Sequence, residues 1–246
     1  MQILRRNGFF GSNLLDPNCP AIKNKQMKPT CYIRGRTLFL GALLLTGKLH
    51  SQGSIYISNL EANSLGGIPI ASNAWAAQSF QTGVNPGGYS LEGIQLRLLP
   101  ASGAPTALGI SLFGNAPLTK PGSLIATLAG NPQPTDGGVF SFTSPGLPLS
   151  PNTKYWIVMT SQSALADGAF TATRVSFFDY TATGNWSMDR FFKTSADGLT
   201  WTDSNVGFNL AFAVTATAIP EPSAVAVLTL SALFLAAGRI RKRTRL

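Results

Sequence analysis

Two side chains that carry much of protein chemistry are nearly missing here: the chain of 246 residues has two cysteines and one histidine. Cys19 and Cys31 precede an apolar run near residue 40, and His50 follows it. If that run is a cleaved export signal, what remains has neither thiol nor imidazole. Disulfides, thiolate nucleophiles, Ser-His-Asp relays and His/Cys metal sites are then excluded together, and no metal or organic cofactor is expected. A chain without cysteine also avoids unwanted oxidation outside the cytoplasm.

Charge is scarce as well, at 12% Asp, Glu, Lys and Arg, and it is unevenly placed. The formal charge of +9 suggests a nucleic-acid binder until its location is examined. Residues 1–50 carry eight Lys/Arg against Asp16, and residues 219–246 carry five against Glu221. Between them, residues 51–218 hold six (Arg97, Lys120, Lys154, Arg174, Arg190, Lys193) against eight Asp/Glu, so the balances are +7, +4 and −2. Displacing counterions from phosphates needs clustered cations on one face, so no nucleic-acid partner is expected.

Sustained helical periodicity is absent after Gly53. Short alternating apolar runs take its place, at Ser54–Leu60, Trp75–Thr82, Leu91–Leu99, Leu108–Phe113, Ser123–Leu128, Val139–Thr143, Thr153–Thr160, Ala169–Phe178, Trp186–Lys193 and Gly207–Thr217. In "KYWIVMTS" and "FNLAFAVTAT" alternate side chains are large and apolar, as a strand with one buried face requires. The runs are separated by "NPGG", "NAPLTKPGS", "NPQPTDGG" and "SPGLPLSPNT", where proline fixes φ and glycine supplies positive φ. About ten short strands at near-regular spacing predict an all-β fold, an antiparallel β-sandwich of jelly-roll type over residues 54–218. No 20–50-residue repeat is present, which disfavours a propeller or solenoid.

The front end has the layout of a secretory signal. From Met27 a basic segment with Lys28, Arg34 and Arg36 leads into an apolar run from Leu38 to Leu45, then a polar stretch with small residues. An apolar core of about 7–15 residues is too short to span a bilayer permanently, so residues 27–53 read as a signal peptide with a short helix. Ser51 and Gly53 place cleavage after Gly53, with the preceding bond as the alternative. No cysteine lies near the end of the run, which argues against a lipoprotein anchor. Residues 1–26 read either as an over-extended gene start, with translation beginning at Met27, or as a long n-region.

The middle of the chain resembles a known family through "ISNL" (57–60), "AQSFQTG" (77–83), "GISLFG" followed by "KPGSLIATL", and "LSPNTKYWIVMT" (149–160). These stretches, across roughly residues 54–165, are similar to the choice-of-anchor R domain of bacterial surface proteins. The resemblance implies a secreted β-sandwich joined to an interchangeable C-terminal anchor, and no known activity.

"TSADGLTWTD" (194–203) looks like the Asp-box of sialidase-type propellers with one residue missing between Asp and Gly. Its plain reading is a hairpin with Asp197-Gly198 in the turn and Trp201 packed on a neighbouring strand. A glycoside hydrolase would need two carboxyl groups flanking a cleft. Asp136, Asp167 and Asp197 each precede glycine in a turn, leaving Glu92, Asp179 and Asp189 as the expected strand-borne acids. Aromatics are dense from Phe177 to Trp201, and an aromatic ring on an exposed sheet face can stack on the C–H face of a sugar. Tyr180, Trp186 and Trp201 are the candidates for such stacking, against the alternative that they pack the core. Adjacent Phe177-Phe178 and Phe191-Phe192 are expected to point to opposite sides of their strands.

The last 28 residues, 219–246, form a separate module. Pro220 and Pro222 cannot sit in a helix interior and hold the chain extended around Glu221. Residues 223–238 form an apolar run of 16, near the lower edge of the ~17–25 residues that a transmembrane helix uses. Arg239, Arg241, Lys242, Arg243 and Arg245 in the basic tail 239–246 then stop translocation and fix that end in the cytoplasm. "IPEPS", the apolar run and the Arg-rich finish, in this order, resemble a PEP-CTERM protein-sorting signal. The resemblance implies recognition of Pro220, Glu221 and Pro222 by an exosortase, a membrane transpeptidase of Gram-negative bacteria that make exopolysaccharide. The expected partners are therefore exosortase, signal peptidase, the export machinery, the membrane and exopolysaccharide. A permanent single-span anchor is the alternative. Together these readings give a non-enzymatic surface or matrix protein, with a carbohydrate-binding module and then a glycoside hydrolase as rivals.

Overall fold

The computed structural model describes residues 53–204 and 207–221, and every element among them is a β-strand. In chain order these are β1 (Ser54–Ser58), β2 (Gly67–Ile70), β3 (Trp75–Gln81), β4 (Tyr89–Gly103), β5 (Gly109–Ala116), β6 (Lys120–Gly130), β7 (Gly138–Leu149) and β8 (Lys154–Thr160). Then follow β9 (Gly168–Ser176), β10 (Thr181–Ala182), β11 (Ser187–Met188), β12 (Lys193–Ser195), β13 (Thr202–Asp203), β14 (Phe208–Leu210) and β15 (Phe212–Ala218). The expected signal helix, apolar span and basic tail lie outside the described residues.

All the strand pairings are antiparallel, and the sheet curls so that one part faces another. One layer runs β10-β1-β15-β4-β7, and the other runs β6-β5-β8-β3-β12-β13, with β11 also on β3. The distal half of β4 turns away to pair with β9, which carries β2 and β14.

A single core fills the space between the layers. Ile57, Leu91, Ile94, Leu96, Phe142 and Val214 enter it from the first layer, and Phe80, Ile110, Leu112, Ile157 and Met159 from the second. Each such side chain contributes about 1.5–3 kcal/mol on full burial. Alternation follows the strand period: Tyr155, Ile157 and Met159 face this core, whereas Trp156 and Val158 face the other way.

Three sequence expectations need correcting. "KYWIVMTS" is buried on both faces, because Trp156 and Val158 join Ala77 beneath Trp75, Phe113 and Trp201 in a second apolar cluster. Trp156 also donates from Nε1 to Asn115 Oδ1 at 3.0 Å. Residues 186–193 do not form one strand; β11 and β12 are separate short pieces on β3. Residues 207–217 break at Ala211, where the chain leaves β9 and joins β1 and β4.

That break is stapled by Asn59, which is 3% exposed. Its Nδ2 donates to Leu210 O at 2.9 Å, and its Oδ1 accepts from Phe212 N at 2.7 Å. Gln78 supplies a second buried amide, its Oε1 accepting from Leu210 N at 3.2 Å.

Candidate functional sites

The C-terminal exit of the domain is held by a turn. Asn85–Gly88 closes through Gly88 N to Asn85 O at 2.8 Å, and Gly88 adopts φ +74°. Ile219 N donates to Gly88 O at 3.0 Å, and Asn85 Nδ2 donates to Ile219 O, also at 3.0 Å. A Cβ on Gly87 would collide with the Ile219 carbonyl, so only glycine lets the turn close on the departing chain. Pro220 and Glu221 come next and are exposed. The first two residues of the motif thus stand immediately past the last tie to the domain among the described residues; Pro222 and the basic residues 239–245 lie outside them. At the other end β1 starts at Ser54, directly after Gly53.

The three candidate stacking aromatics are not brought together. Trp186 is 3% exposed, with Tyr56 stacked at 4.9 Å, Phe80 at 5.6 Å and Tyr89 edge-on at 5.0 Å. A ring enclosed by three others has no face left for a sugar, so Trp186 is a core residue and the stacking expectation fails there. Trp201 is half-buried on the outer cluster of the second layer, its Nε1 donating to Gly198 O at 3.1 Å. Tyr180 lies beside β10, at the edge of the first layer.

Around Tyr180 is a concavity of about 480 Å³ that also includes Glu61, Asn63, Phe178 and Asp179. Arg97 shapes one wall, donating from Nη1 to Leu60 O and from Nη2 to Ala62 O, both at 2.6 Å, and so fixing the loop that carries Glu61. The other wall follows β9. Since that strand ends at Ser176, Phe177 and Phe178 sit in a turn with ring centroids 3.6 Å apart, not on opposite strand faces. Arg190 lies over the Phe177 ring at 4.4 Å, while Phe178 is 74% exposed and Tyr180 38%. Phe178 was expected in a strand, opposite in direction to Phe177; its exposure follows instead from where β9 ends.

The acids expected on strands are also dispersed. Only Glu92 is in a strand, and Glu92, Asp179 and Asp189 line three different concavities. Asp189 is engaged by Lys154 Nζ at 2.7 Å and by the Ser79 hydroxyl at 2.6 Å.

The 194–203 segment forms the expected hairpin. Gly198 has φ +73°, and Asp197 Oδ1 accepts from Leu199 N and Thr200 N, each at 2.8 Å, and from Ser195 Oγ at 2.9 Å. These donors, the Thr200 and Leu199 amides foremost and then the Ser195 hydroxyl, lower the Asp197 pKa from 3.8 to about 2. The hairpin divides two surfaces. Lys193 and Asp203 are ion-paired above Trp156 on one face, and the Thr194 and Thr202 hydroxyls lie 3.3 Å apart on the other.

Because the folded pKa of Asp197 is depressed, its stabilisation is complete above the unfolded value near 3.8 and fades as pH falls through about 2. Asp197→Asn is therefore expected to lower the thermal midpoint at neutral pH and to differ less from wild type as pH approaches 2. Thermal melts across that range check this; a pH-independent gap would contradict it.

No protein-family model, curated protein or solved structure matches the chain.

Proposed function

We propose that this chain is an exported, non-enzymatic β-domain of a bacterial cell surface or extracellular matrix, sorted and processed by an exosortase at Pro220-Glu221-Pro222. In this reading the curled sheet is a jelly-roll-type sandwich, preceded by a cleaved signal helix and followed by one short transmembrane helix over 223–238. Signal peptidase and the export machinery deliver the domain to the periplasm, where Arg239, Arg241, Lys242, Arg243 and Arg245 hold the tail at the inner membrane. Exosortase action then passes the protein to the surface or matrix, beside exopolysaccharide.

The observation that carries this reading is the position of the motif. The domain closes on Ile219, and Pro220 and Glu221 are exposed immediately beyond it, ahead of the apolar run. Proline at both ends of Glu221 keeps this step extended and out of a helix, which supports its being accessible to a processing enzyme. Replacing Pro220, Glu221 and Pro222 together by alanine is expected to retain the full-length chain in the membrane fraction. An unchanged distribution between membrane and surface fractions would contradict it.

A second reading, carbohydrate binding, is supported by the concavity at Tyr180. Exposed Phe178 and Tyr180 rings beside Glu61, Asn63 and Asp179 offer apolar surface with hydrogen-bonding groups around it, a combination suited to a neutral sugar unit. Phe178→Ala/Tyr180→Ala is expected to abolish binding of neutral oligosaccharides measured by titration calorimetry. Flat titrations of the unaltered protein across a panel of neutral glycans would dismiss the reading.

A further inference from the structure

Along one side of the domain the sheet is split. β6 and β7 are paired only at Ala129 with Thr143 and at Gly130 with Phe142. From Lys120 to Leu128 the edge of β6 away from β5 meets no strand among the described residues. An open edge offers a row of N–H and C=O groups as a template for another strand, and proteins normally blunt it with charge, proline or distortion.

Here the blunting by charge and proline is confined to the head of β6, at Lys120 and Pro121. Between Pro121 and Thr153 Asp136 is the only charged residue. Leu124 is 56% and Ile125 41% exposed on β6, and Val139 is 49% exposed on β7. β7 is a poor template because Pro145 and Pro148 remove two donors from it. β6 has no proline from Gly122 to Leu128. Its pairing with β5 shifts register beside Phe113, and Ser123, Leu124 and Ile125 are exposed in succession at that point. Such a shift bends an edge, yet here it also presents two large apolar side chains.

We propose that β6 is an assembly edge that takes β6 of a second copy of this chain, antiparallel about a two-fold axis. A two-fold contact requires one patch to complement itself. Residues 122–128 of β6, past Lys120 and Pro121, meet this condition: they carry no charge, so no like charges fall opposite each other when the strands pair about this stretch, and Leu124 and Ile125 of each copy lie beside those of the other. Seven residues extend about 23 Å along an edge about 10 Å deep, which is on the order of 230 Å² per partner. Standard interfaces bury about 800 Å² per partner, so the pairing is weak in dilute solution and populated where copies are crowded. This inference is independent of the sorting motif and of the Tyr180 concavity.

The test uses the full chain with Cys19→Ser and Cys31→Ser, at high protein concentration in detergent sufficient for one chain per micelle. Single cysteines replace Ser123, Leu124, Ile125, Ala126 and Thr127 in turn, with Leu199→Cys, 78% exposed on the 194–203 hairpin, as control. A disulfide needs Cα atoms about 4.4–6.8 Å apart, and same-residue pairs one position off a two-fold axis are already about 8 Å apart, so such a strand pair links only at the residue on its axis. The expected result is a disulfide dimer confined to one position of the five and lost when the neighbouring exposed Thr127 is changed to Lys. A wild-type melting midpoint for Thr127→Lys shows that loss of the dimer is not loss of the fold. Linking at β6 no stronger than at the control, or equal at all five positions, would overturn the proposal.

Discussion

Trp186→Ala is expected to lower the unfolding free energy by about 3–5 kcal/mol, whereas Trp186→Phe costs far less. The alanine variant leaves a void between Tyr56, Phe80 and Tyr89, all within 5.6 Å of the indole by ring centroid. Aromatic pairs contribute about 0.5–1.5 kcal/mol each beyond the area they bury, and here three converge on one ring. Phenylalanine keeps those contacts in part. It also removes an indole N–H that is buried without a hydrogen-bond partner, a defect costing about 1–3 kcal/mol. Both variants remove that defect, so it offsets part of the lost packing in each, and the larger void left by alanine sets the difference between them. Guanidinium unfolding followed by near-ultraviolet circular dichroism measures both, and equal losses for the two variants would refute the packing argument.

Asn59→Ala should be the second most damaging change. Its amide serves the two backbone groups left on either side of Ala211, Leu210 C=O and Phe212 N–H, and both are in fully buried residues. Each unsatisfied buried group costs about 1–3 kcal/mol, and alanine brings no water with it at a site 3% exposed. Asn59→Asp keeps an acceptor for Phe212 N but turns an oxygen toward Leu210 O, so it is expected to be no milder than alanine. The effect is local to the transition between β14 and β15, so amide hydrogen exchange should rise first at Leu210 and Phe212. Uniform exchange across the domain would count against the staple.

Much of the sheet was readable from the chain because strand alternation is a local property. All ten apolar runs contain strand, and the Asp197-Gly198 turn lies where Asp-Gly in a hairpin predicts it. What was not readable depends on distant partners. Trp186 and Trp201 are alike in sequence context, yet one lies inside a stack of rings from β1, β3 and β4 and the other caps an outer cluster. Ala211 looks like the middle of a strand, but it is where the chain changes neighbours, and Asn59, 151 positions from Leu210, holds that change. Gly67–Ile70 was missed because four residues around a proline carry too little alternation. Of the candidate sites, the sorting motif is a contiguous segment and needed no fold to be seen. The Tyr180 concavity joins residues 58–63 to 178–181, so Phe178, Asp179 and Tyr180 could be singled out in the sequence but their meeting with Glu61 and Asn63 could not.

Whether the tail is an address that is removed is read from mass spectrometry of the protein recovered from the surface or secreted fraction, intact and after digestion. The expected mature chain begins after residue 52 or 53, ends at the Pro220-Glu221-Pro222 segment and lacks every peptide from Leu228 to Gly238. Recovery of those peptides from the surface fraction would contradict it and leave a permanently anchored protein.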